Sequence, residues 1–236
     1  MTLAPGTAEP EELRRLAERA GRELEDASAL EILRWTADTF GDRYCVTSSM
    51  ADAVVAHLAS RVTPGVHVLF LDTGYHFPET IGTRDAVEAV MDVTVRTLTP
   101  AQTVAEQDAT YGPRLYERDP DLCCALRKVR PLEEGLAPYD AWVTGLRRDE
   151  SPSRAHTPVV GWDARRQKVK VSPIARWTQE QVESYIAEHG VLTNPLLADG
   201  YPSIGCAPCT RRVRAGEDVR AGRWAGRAKT ECGLHT

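Results

Sequence analysis

A cysteine near the carboxyl end is the residue of this 236-residue chain best placed for covalent chemistry. The sequence ends in Glu231-Cys232-Gly233-Leu234-His235-Thr236. Because chain ends rarely pack into a core, we expect Cys232 to have no role as a buried apolar residue. A thiol on such a tail can enter a site, accept a covalent group and leave again. The position therefore predicts that Cys232 is a reactive nucleophile.

Four further cysteines come in two pairs, Cys123-Cys124 and Cys206-x-x-Cys209. The run Asp119-Pro120-Asp121 predicts a helix start, which places the adjacent thiols in the first turn. Their side chains then diverge by about 100° around the helix axis. Together the two pairs suit a four-thiolate site, and the adjacent pair favours a [4Fe–4S] cluster over zinc. A plain redox dithiol at Cys206 and Cys209 is the remaining alternative.

The net charge of −5 gives no reason to expect general binding to nucleic acid or membranes. The stretch before Cys232 is nevertheless basic. It contains Arg211, Arg212, Arg214, Arg220, Arg223, Arg227 and Lys229, against Glu217 and Asp218. A charge run is usually a solvated face, but beside a reactive thiol it favours a site for an anionic substrate. Lys128 follows Cys124 by four residues and is predicted to share its helix face. Its charge could there offset the charge of the cluster or hold a substrate anion.

Helix and strand patterns alternate along most of the chain. Strands are predicted at residues 43–47, 66–71, 93–98, 141–144 and 168–171. Helices are predicted at 11–40, 50–58, 78–91 and 178–189, with another from Thr103. Ser48-Ser49 is interpreted as the cap of the second helix, and Thr178 with Gln181 as a capping box. This succession predicts an α/β fold with a twisted, mostly parallel sheet and helices on both faces.

Polar clusters follow three of the predicted strands. They are Ser48 with Ser49, Asp72 with Thr73 and Gly74, and Gly145 with Arg147. Ligands of such folds bind outside the carboxyl ends of the strands, where these clusters are expected to meet. The sequence therefore predicts a nucleotide-sized site at this edge of the sheet.

The amino-terminal residues show no signal-peptide pattern, and no apolar stretch is long enough to span a bilayer. We therefore expect a cytoplasmic protein, in which six cysteines indicate metal binding or catalysis rather than disulfides. Cys45, in a predicted strand, is interpreted as a small buried apolar residue. The sequence leaves a homo-oligomer open.

Four motifs together resemble the assimilatory sulfonucleotide reductases, and more narrowly the adenosine 5′-phosphosulfate (APS) reductases that carry a [4Fe–4S] cluster. They are Cys123-Cys124-x-x-Arg127-Lys128, Trp142-x-Thr144-Gly145-x-Arg147-Arg148-Asp149-Glu150-Ser151, Gly205-Cys206-x-x-Cys209 and Glu231-Cys232-Gly233-Leu234-His235. The resemblance runs from about Tyr44 to the end and implies an adenine nucleotide alpha-hydrolase-like fold. We expect an N-terminal helical segment (1–40), a sulfonucleotide-binding and cluster domain (41–209) and a basic, mobile catalytic tail (210–236).

The resemblance also implies a mechanism. Cys232 would attack the sulfur of APS and expel AMP, and thioredoxin or a similar dithiol would release sulfite from the resulting S-sulfocysteine. Lys128, Arg220 and Arg223 would contact the sulfate or phosphate end of the substrate, and Arg147 would grip the nucleotide. His235 would shape the closed tail or transfer a proton. The cysteines of the two pairs would hold the cluster in a structural or electrostatic role.

Three alternatives remain open. The 3′-phosphoadenosine 5′-phosphosulfate (PAPS) reductases share the family but generally lack the cluster cysteines. A tRNA-modifying sulfur transferase would need a glycine-rich ATP loop, whereas this chain has Ser48-Ser49-Met50-Ala51-Asp52-Ala53 at the first strand–helix turn. A non-enzymatic metal module would give no reason for a cysteine so near the end.

Overall fold

One six-stranded sheet organises the chain. The structure, a computed structural model, describes residues 9–226, 229 and 231–235, so residues 1–8 of the N-terminal segment and Arg227 of the basic tail lie outside it. The strands are β1 (Tyr44–Ser48), β2 (Val66–Leu71), β3 (Val93–Leu98), β4 (Ala141–Val143), β5 (Val160–Asp163) and β6 (Lys168–Val171). Their order is β3-β2-β1-β4-β6-β5, parallel except for β5 against β6. The predicted mostly parallel sheet is confirmed.

The described residues form nine α-helices. They are α1 (Pro10–Glu23), α2 (Ala29–Phe40), α3 (Val54–Ser60), α4 (Pro78–Val90), α5 (Val104–Tyr111), α6 (Leu115–Arg118), α7 (Pro120–Cys124), α8 (Arg130–Leu136) and α9 (Gln179–His189). The single helix predicted over 11–40 is wrong, because Ser28 forms a capping box with Glu31 and starts α2 afresh. The capping box of Thr178 and Gln181 on α9 is confirmed.

Apolar side chains cover both faces of the sheet, as predicted. On one face, β1 and its neighbours pack through Val46, Val68 and Val143 against the helices of the larger core. On the other face, Leu132 and Leu136 of α8 pack on Leu69, Trp142 and Cys45. Because successive side chains of a strand point to opposite faces, Cys45 and Val46 enter different cores. Cys45 is fully buried, as expected for a small apolar residue.

The turn between β1 and α3 differs from its prediction. Ser48-Ser49 does not cap a helix, since α3 begins only at Val54 after N-cap Ala53. Met50 has a φ of 58°, a left-handed conformation that interrupts any helix there, and its N–H donates to Ser48 Oγ at 3.1 Å. Asp52 pairs with Thr193 in an isolated antiparallel bridge. The turn is thus held by a distant segment rather than by a cap.

The described tail residues pack on the rest of the chain. Thr210 and Arg223 form an antiparallel bridge, and the Trp224 N–H donates to the Cys209 carbonyl at 2.9 Å. Trp224 is buried, and Lys229 forms an ion pair with Asp121 at the start of α7. These contacts bring the terminal motif against the sheet. The predicted mobility of the tail stays a prediction.

Along the described part of the chain, no helix combines the length and apolarity needed to cross a membrane.

Candidate active site

A cavity of about 310 Å³ opens at the carboxyl ends of the central strands. The sheet order changes direction at β1, which lies between β2 and β4, and this is the point where open α/β sheets bind ligands. Five of the seven residues predicted at the strand ends line the cavity. They are Ser48, Ser49, Thr73, Gly145 and Arg147. Asp72 and Gly74 do not line it, and the Asp72 carboxylate accepts from the Gly74 N–H at 2.9 Å.

Four predicted cations also line this cavity, namely Lys128, Arg147, Arg220 and Arg223. The guanidinium of Arg147 is oriented by a hydrogen bond to the Gln179 side chain at 2.6 Å. Arg223 donates to the Ile204 carbonyl at 3.2 Å, and its guanidinium lies 4.5 Å from the ring centre of Trp224. Such fixed guanidinium groups suit phosphate and sulfate oxygens.

Of the described arginines and lysines of the tail, only Arg220 and Arg223 line the cavity. Arg211 instead forms an ion pair with Glu217 at 2.8 Å within the tail. Arg212 and Arg214 are exposed and do not line the cavity. The basic run is therefore divided between a solvated surface and the cavity wall.

The terminal motif forms one wall of the same cavity. Cys232, Leu234 and His235 all line it, and Cys232 is half-buried. The imidazole of His235 stacks on the indole of Trp142 from β4. Burial and the nearby charges of Lys170, Arg154, Arg166 and Arg220 hold the pKa of His235 well below its usual range. His235 is therefore neutral at physiological pH.

The four paired cysteines converge on a second, small cavity beside the first. Cys123, Cys124, Cys206 and Cys209 line it together with Arg127. α7 begins at Pro120 after the N-cap Asp119, so the predicted position of Cys123 and Cys124 near a helix start is confirmed. The Cys206 thiol and the Thr73 hydroxyl are 3.3 Å apart. Two segments about eighty residues apart in sequence thus bring their thiols to one place.

Burial and charge act differently on these thiols. Burial, with the neighbouring thiolates, raises the pKa of Cys123 to about 12, and burial raises that of Cys124 to about 11. Burial would also raise the pKa of Cys206, but the Lys128 charge and the Thr73 hydroxyl lower it below its usual range. Within the described residues, no three or more His, Cys, Asp or Glu side chains are grouped so as to hold a metal ion. The cluster therefore stays a prediction.

Lys128 lies between the two cavities and lines both. It is carried by a π-helical turn, Ala125–Val129, instead of the continuous α-helix assumed in the spacing argument. Burial favours its neutral form, but the thiolates of Cys206 and Cys232 raise its pKa above the usual range. Lys128 is thus a buried positive charge that faces both the paired cysteines and Cys232.

Three site residues were missed by the sequence analysis as functional groups. The Arg154 guanidinium donates to both oxygens of Glu231, each at 3.1 Å. It also donates to Glu150 at 2.5 Å. All three residues line the larger cavity. The sequence could have indicated a role for Glu231, because Glu231 belongs to the terminal motif. Arg154 stands in no motif, so the sequence gave no indication of its role.

Asp52 is a further acidic residue of the larger cavity. Its carboxylate accepts from the Val54 N–H at 3.0 Å, which satisfies one donor at the start of α3. Burial raises the pKa of Asp52, although this hydrogen bond and the Arg147 charge oppose the shift. Asp52 therefore helps to fix the turn that carries Ser48 and Ser49.

The family model of the phosphoadenosine phosphosulfate reductase domain matches residues 43–212, which include β1 through the second cysteine pair. The chain belongs to this family. The predicted family resemblance is thereby confirmed, and the match spans the strand ends, Lys128 and both cysteine pairs.

Curated members of the phosphoadenosine phosphosulfate reductase family resemble the chain over its whole length. An adenosine 5′-phosphosulfate reductase of Streptomyces coelicolor is 78% identical over 235 residues, covering 100% of both chains. A protein of the same name from Mycolicibacterium smegmatis is 59% identical, covering 97% of each. The similarity thus extends beyond the family domain to the amino-terminal helices and the tail.

Solved structures support the family fold. A phosphoadenylyl-sulfate (PAPS) reductase from Candida auris, in a phosphate complex, has a TM-score of 0.70 at 26% identity, covering 88% of this chain and 98% of that one. A yeast FAD synthetase in complex with FAD has a TM-score of 0.55 at 13% identity, covering 89% and 70%. At that identity the second likeness shows the fold alone.

Proposed function

We propose that this chain reduces APS to sulfite and AMP in assimilatory sulfate reduction, through an S-sulfocysteine on Cys232. One observation carries the proposal: Cys232 lies in a nucleotide-sized cavity at the switch point of the sheet, among cations from three separate segments. Relatives similar over the full length are named adenosine 5′-phosphosulfate reductases, which supports the same activity.

The first half-reaction transfers the sulfo group. The Cys232 thiolate attacks the sulfur of APS, a sulfur–sulfur bond forms, and the bond from sulfur to the phosphate oxygen breaks. AMP leaves with that electron pair. Lys128, Arg220 and Arg223 offset the charge of the sulfate and phosphate oxygens, which grows on the leaving phosphate as the bond breaks. Arg147 holds the nucleotide at the end of β4.

The second half-reaction releases sulfite. A thiolate of thioredoxin or a similar dithiol protein attacks Cys232 Sγ, and sulfite leaves with the electron pair of the sulfur–sulfur bond. The second thiol of the partner then resolves the mixed disulfide and frees the Cys232 thiolate. The two electrons of the reduction thus come from the dithiol. The position of Cys232 near the end of the tail suits this alternation between a substrate pocket and a protein partner.

The paired cysteines suit a [4Fe–4S] cluster. The donor type fits, because four thiols from two segments line one small cavity and the cations Arg127 and Lys128 border it. Among the described residues these thiols are not grouped closely enough to hold a metal ion as they stand, so binding would draw them together. Thiolates are the ligands that iron–sulfur clusters take, and neighbouring cations offset their combined negative charge. When bound, the cluster supplies a rigid, charged anchor for the two segments. Lys128, which lines both cavities, then stays positioned toward the substrate anions.

The activity is tested by a half-reaction without any thiol donor. Anaerobically purified protein is mixed with APS, or separately with PAPS, and the intact and peptide masses are recorded. We expect one SO3 adduct on Cys232 with APS and none with PAPS. An adduct with PAPS alone would assign the chain to the other substrate of its family. No adduct with either nucleotide on iron-replete protein would refute the reductase proposal.

The cofactor is tested separately by iron and acid-labile sulfide content. We expect about four irons per chain, the composition of a [4Fe–4S] cluster. Cys206→Ser should lose iron, whereas Cys45→Ala should keep it, since Cys45 is buried in the core on β1. Equal iron in both variants would show that the paired cysteines do not hold the cluster.

A further inference from the structure

Arg154 connects two parts of the site that are far apart in sequence. One is the turn Arg147–Glu150, which follows β4 and carries the nucleotide-binding arginine. The other is the terminal motif, where Glu231 directly precedes Cys232. Arg154 donates to a carboxylate in each, to Glu150 at 2.5 Å and to both oxygens of Glu231 at 3.1 Å.

The turn itself is fixed by neighbouring elements. Glu150 accepts from the Arg147 N–H at 3.1 Å. The Asp149 carboxylate accepts from the first N–H of α9 at 2.8 Å. Arg148 donates to the Glu25 carboxylate at 2.7 and 3.0 Å. The Glu150 end of the network is therefore tied to α9 and to the segment between α1 and α2, and the tail is the part that Arg154 holds against it.

Three guanidinium groups face the two carboxylates of the network. Arg147 and Arg154 pair with Glu150 at 3.9 and 2.5 Å, and Arg154 and Arg220 pair with Glu231 at 3.0 and 3.3 Å. The side chains of Arg154 and Glu231 are 13% and 18% exposed, which reduces screening by solvent and salt. A forked guanidinium on a carboxylate fixes direction as well as distance. Losing Arg154 or Glu231 would remove this fork and favour release of the tail.

We propose that Arg154 is a positioning residue that couples nucleotide binding at the Arg147–Glu150 turn to closure of the tail over the substrate, through Glu231. This inference rests on the proposed function. A nucleotide held by Arg147 stabilises the turn, the turn holds Arg154 through Glu150, and Arg154 holds Glu231 and therefore Cys232 in the cavity. Glu231 acts here as the attachment point of the tail and not as a group that touches the sulfo centre.

The first arm of the test measures exposure of Cys232 in the holoprotein. The rate at which iodoacetamide modifies Cys232 is followed by peptide mass, with and without saturating AMP, the nucleotide half of the proposed substrate. In the wild type, AMP should slow modification. In Arg154→Gln and Glu231→Gln the basal rate should rise about tenfold, the effect of about 1.4 kcal/mol on an opening equilibrium. AMP should still bind both variants but give little protection.

The second arm measures turnover of APS with a dithiol donor. Both variants should lose at least about tenfold in kcat with KM changed by less than about threefold, because closure and not substrate affinity is impaired. The double variant should be no worse than either single one, since the two residues act as a unit. Arg154→Lys keeps the charge but not the forked guanidinium, and its kcat should lie between those of the wild type and Arg154→Gln. Arg165→Gln is the control, since Arg165 forms an exposed ion pair with Glu133 elsewhere.

Each outcome decides the proposal. Wild-type Cys232 modification and wild-type kcat in Arg154→Gln would overturn it. Loss of AMP binding in that variant would also overturn it, because Arg154 would then be a direct ligand contact. Glu231→Gln lies in the tail and keeps the test valid if Arg154→Gln folds poorly, as judged by iron content and thermal melting. The modification arm needs no turnover, so a failed APS adduct would refute the function and leave the coupling measurable.

Discussion

The imidazole of His235 lies flat against the indole of Trp142, with ring centres 5.7 Å apart and planes tilted by 4°. Trp142 is fully buried in β4, and the Lys170 ammonium and the Arg166 guanidinium lie 5.0 and 5.5 Å from its ring centre. The tail is therefore seated on a rigid aromatic surface that already carries positive charge. A neutral imidazole fits there, and an imidazolium would meet like charges.

Acid should release the tail from this surface. The cations around His235 are Lys170, Arg154, Arg166 and Arg220, which with burial keep its docked-state pKa well below the usual value. An undocked tail histidine titrates near 6.5, so docking is favoured fully above that pH and lost as pH falls below it. The docking constant should fall about tenfold per pH unit below about 6.5, until the docked-state pKa is reached.

The measurement is the Cys232 modification rate in wild type divided by that in His235→Asn, at pH 7.5 and pH 5.5. Both proteins share the titration of the thiol, which the ratio removes. We expect the ratio to rise roughly tenfold on acidification, because the amide of the substituted side chain does not titrate. A ratio independent of pH would mean that His235 does not control docking through its charge.

Cys232→Ser separates the two groups of cysteines. The variant should lose the SO3 adduct and sulfite formation completely, because a hydroxyl is a far weaker nucleophile at neutral pH. Binding of APS and iron content should stay near wild type, since Cys232 lies in the larger cavity and the paired cysteines line the other. Equilibrium binding and iron assay check this. Lost iron in Cys232→Ser would contradict the separation.

The sequence predicted those parts of the fold that local patterns control. β2 and β3 have the bounds that their apolar and alternating runs predicted, and α9 starts at its capping box. β5 was missed, because Val160–Asp163 is a short edge strand whose pairing with β6 is antiparallel. The prediction for the turn after β1 was wrong, because the backbone of this turn is held by the 192–194 segment, a contact that no local pattern encodes.

The candidate site shows the same division. The cysteine pairs, the terminal motif and the strand-end residues could be predicted as site residues, because their residue types and spacing are local features of the sequence. Arg154 could not be predicted, because its role arises from a contact with Glu231 across 77 residues of sequence. The sequence predicted a basic segment but could not show which of its arginines line the cavity. No local pattern distinguishes Arg220 and Arg223, which line it, from Arg211, which pairs with Glu217.

Gly205→Ala should displace Arg223, which we propose contacts the substrate. A Cβ at Gly205 would overlap the guanidinium of Arg223, the mobile end of a long side chain, so Arg223 would move rather than the backbone. We expect KM for APS to rise by about tenfold, as for loss of one charge-assisted contact. Arg223→Gln should show a similar rise, and the double variant should add little.

Gly82→Ala provides the matched control for this substitution. Gly82 lies within α4, and a Cβ there meets nothing within 4 Å. The change should leave KM unaltered and stabilise the helix by up to about 1 kcal/mol. Steady-state kinetics and thermal melting check both variants. An unchanged KM in Gly205→Ala would show that the position of Arg223 in the cavity does not matter to APS.

Asn194→Ala should destabilise the turn after β1. Asn194 is fully buried, and its amide donates to the Met50 carbonyl and the Thr80 hydroxyl, each at 3.1 Å. Its side-chain oxygen accepts from the Leu196 N–H at 3.1 Å. Removing all three contacts leaves buried polar groups unpaired and should lower the free energy of unfolding by about 2–4 kcal/mol.

The consequence should appear in both stability and substrate binding. The Met50 carbonyl belongs to a residue in a left-handed conformation, so loss of its partner lets the turn that carries Ser48 and Ser49 relax. We expect Tm to fall by roughly 5–10 °C and KM for APS to rise. Asp199→Ala, an exposed change in the same segment, should stay within about 0.5 kcal/mol of wild type. An Asn194→Ala protein with wild-type Tm would mean that other contacts hold Met50 in place.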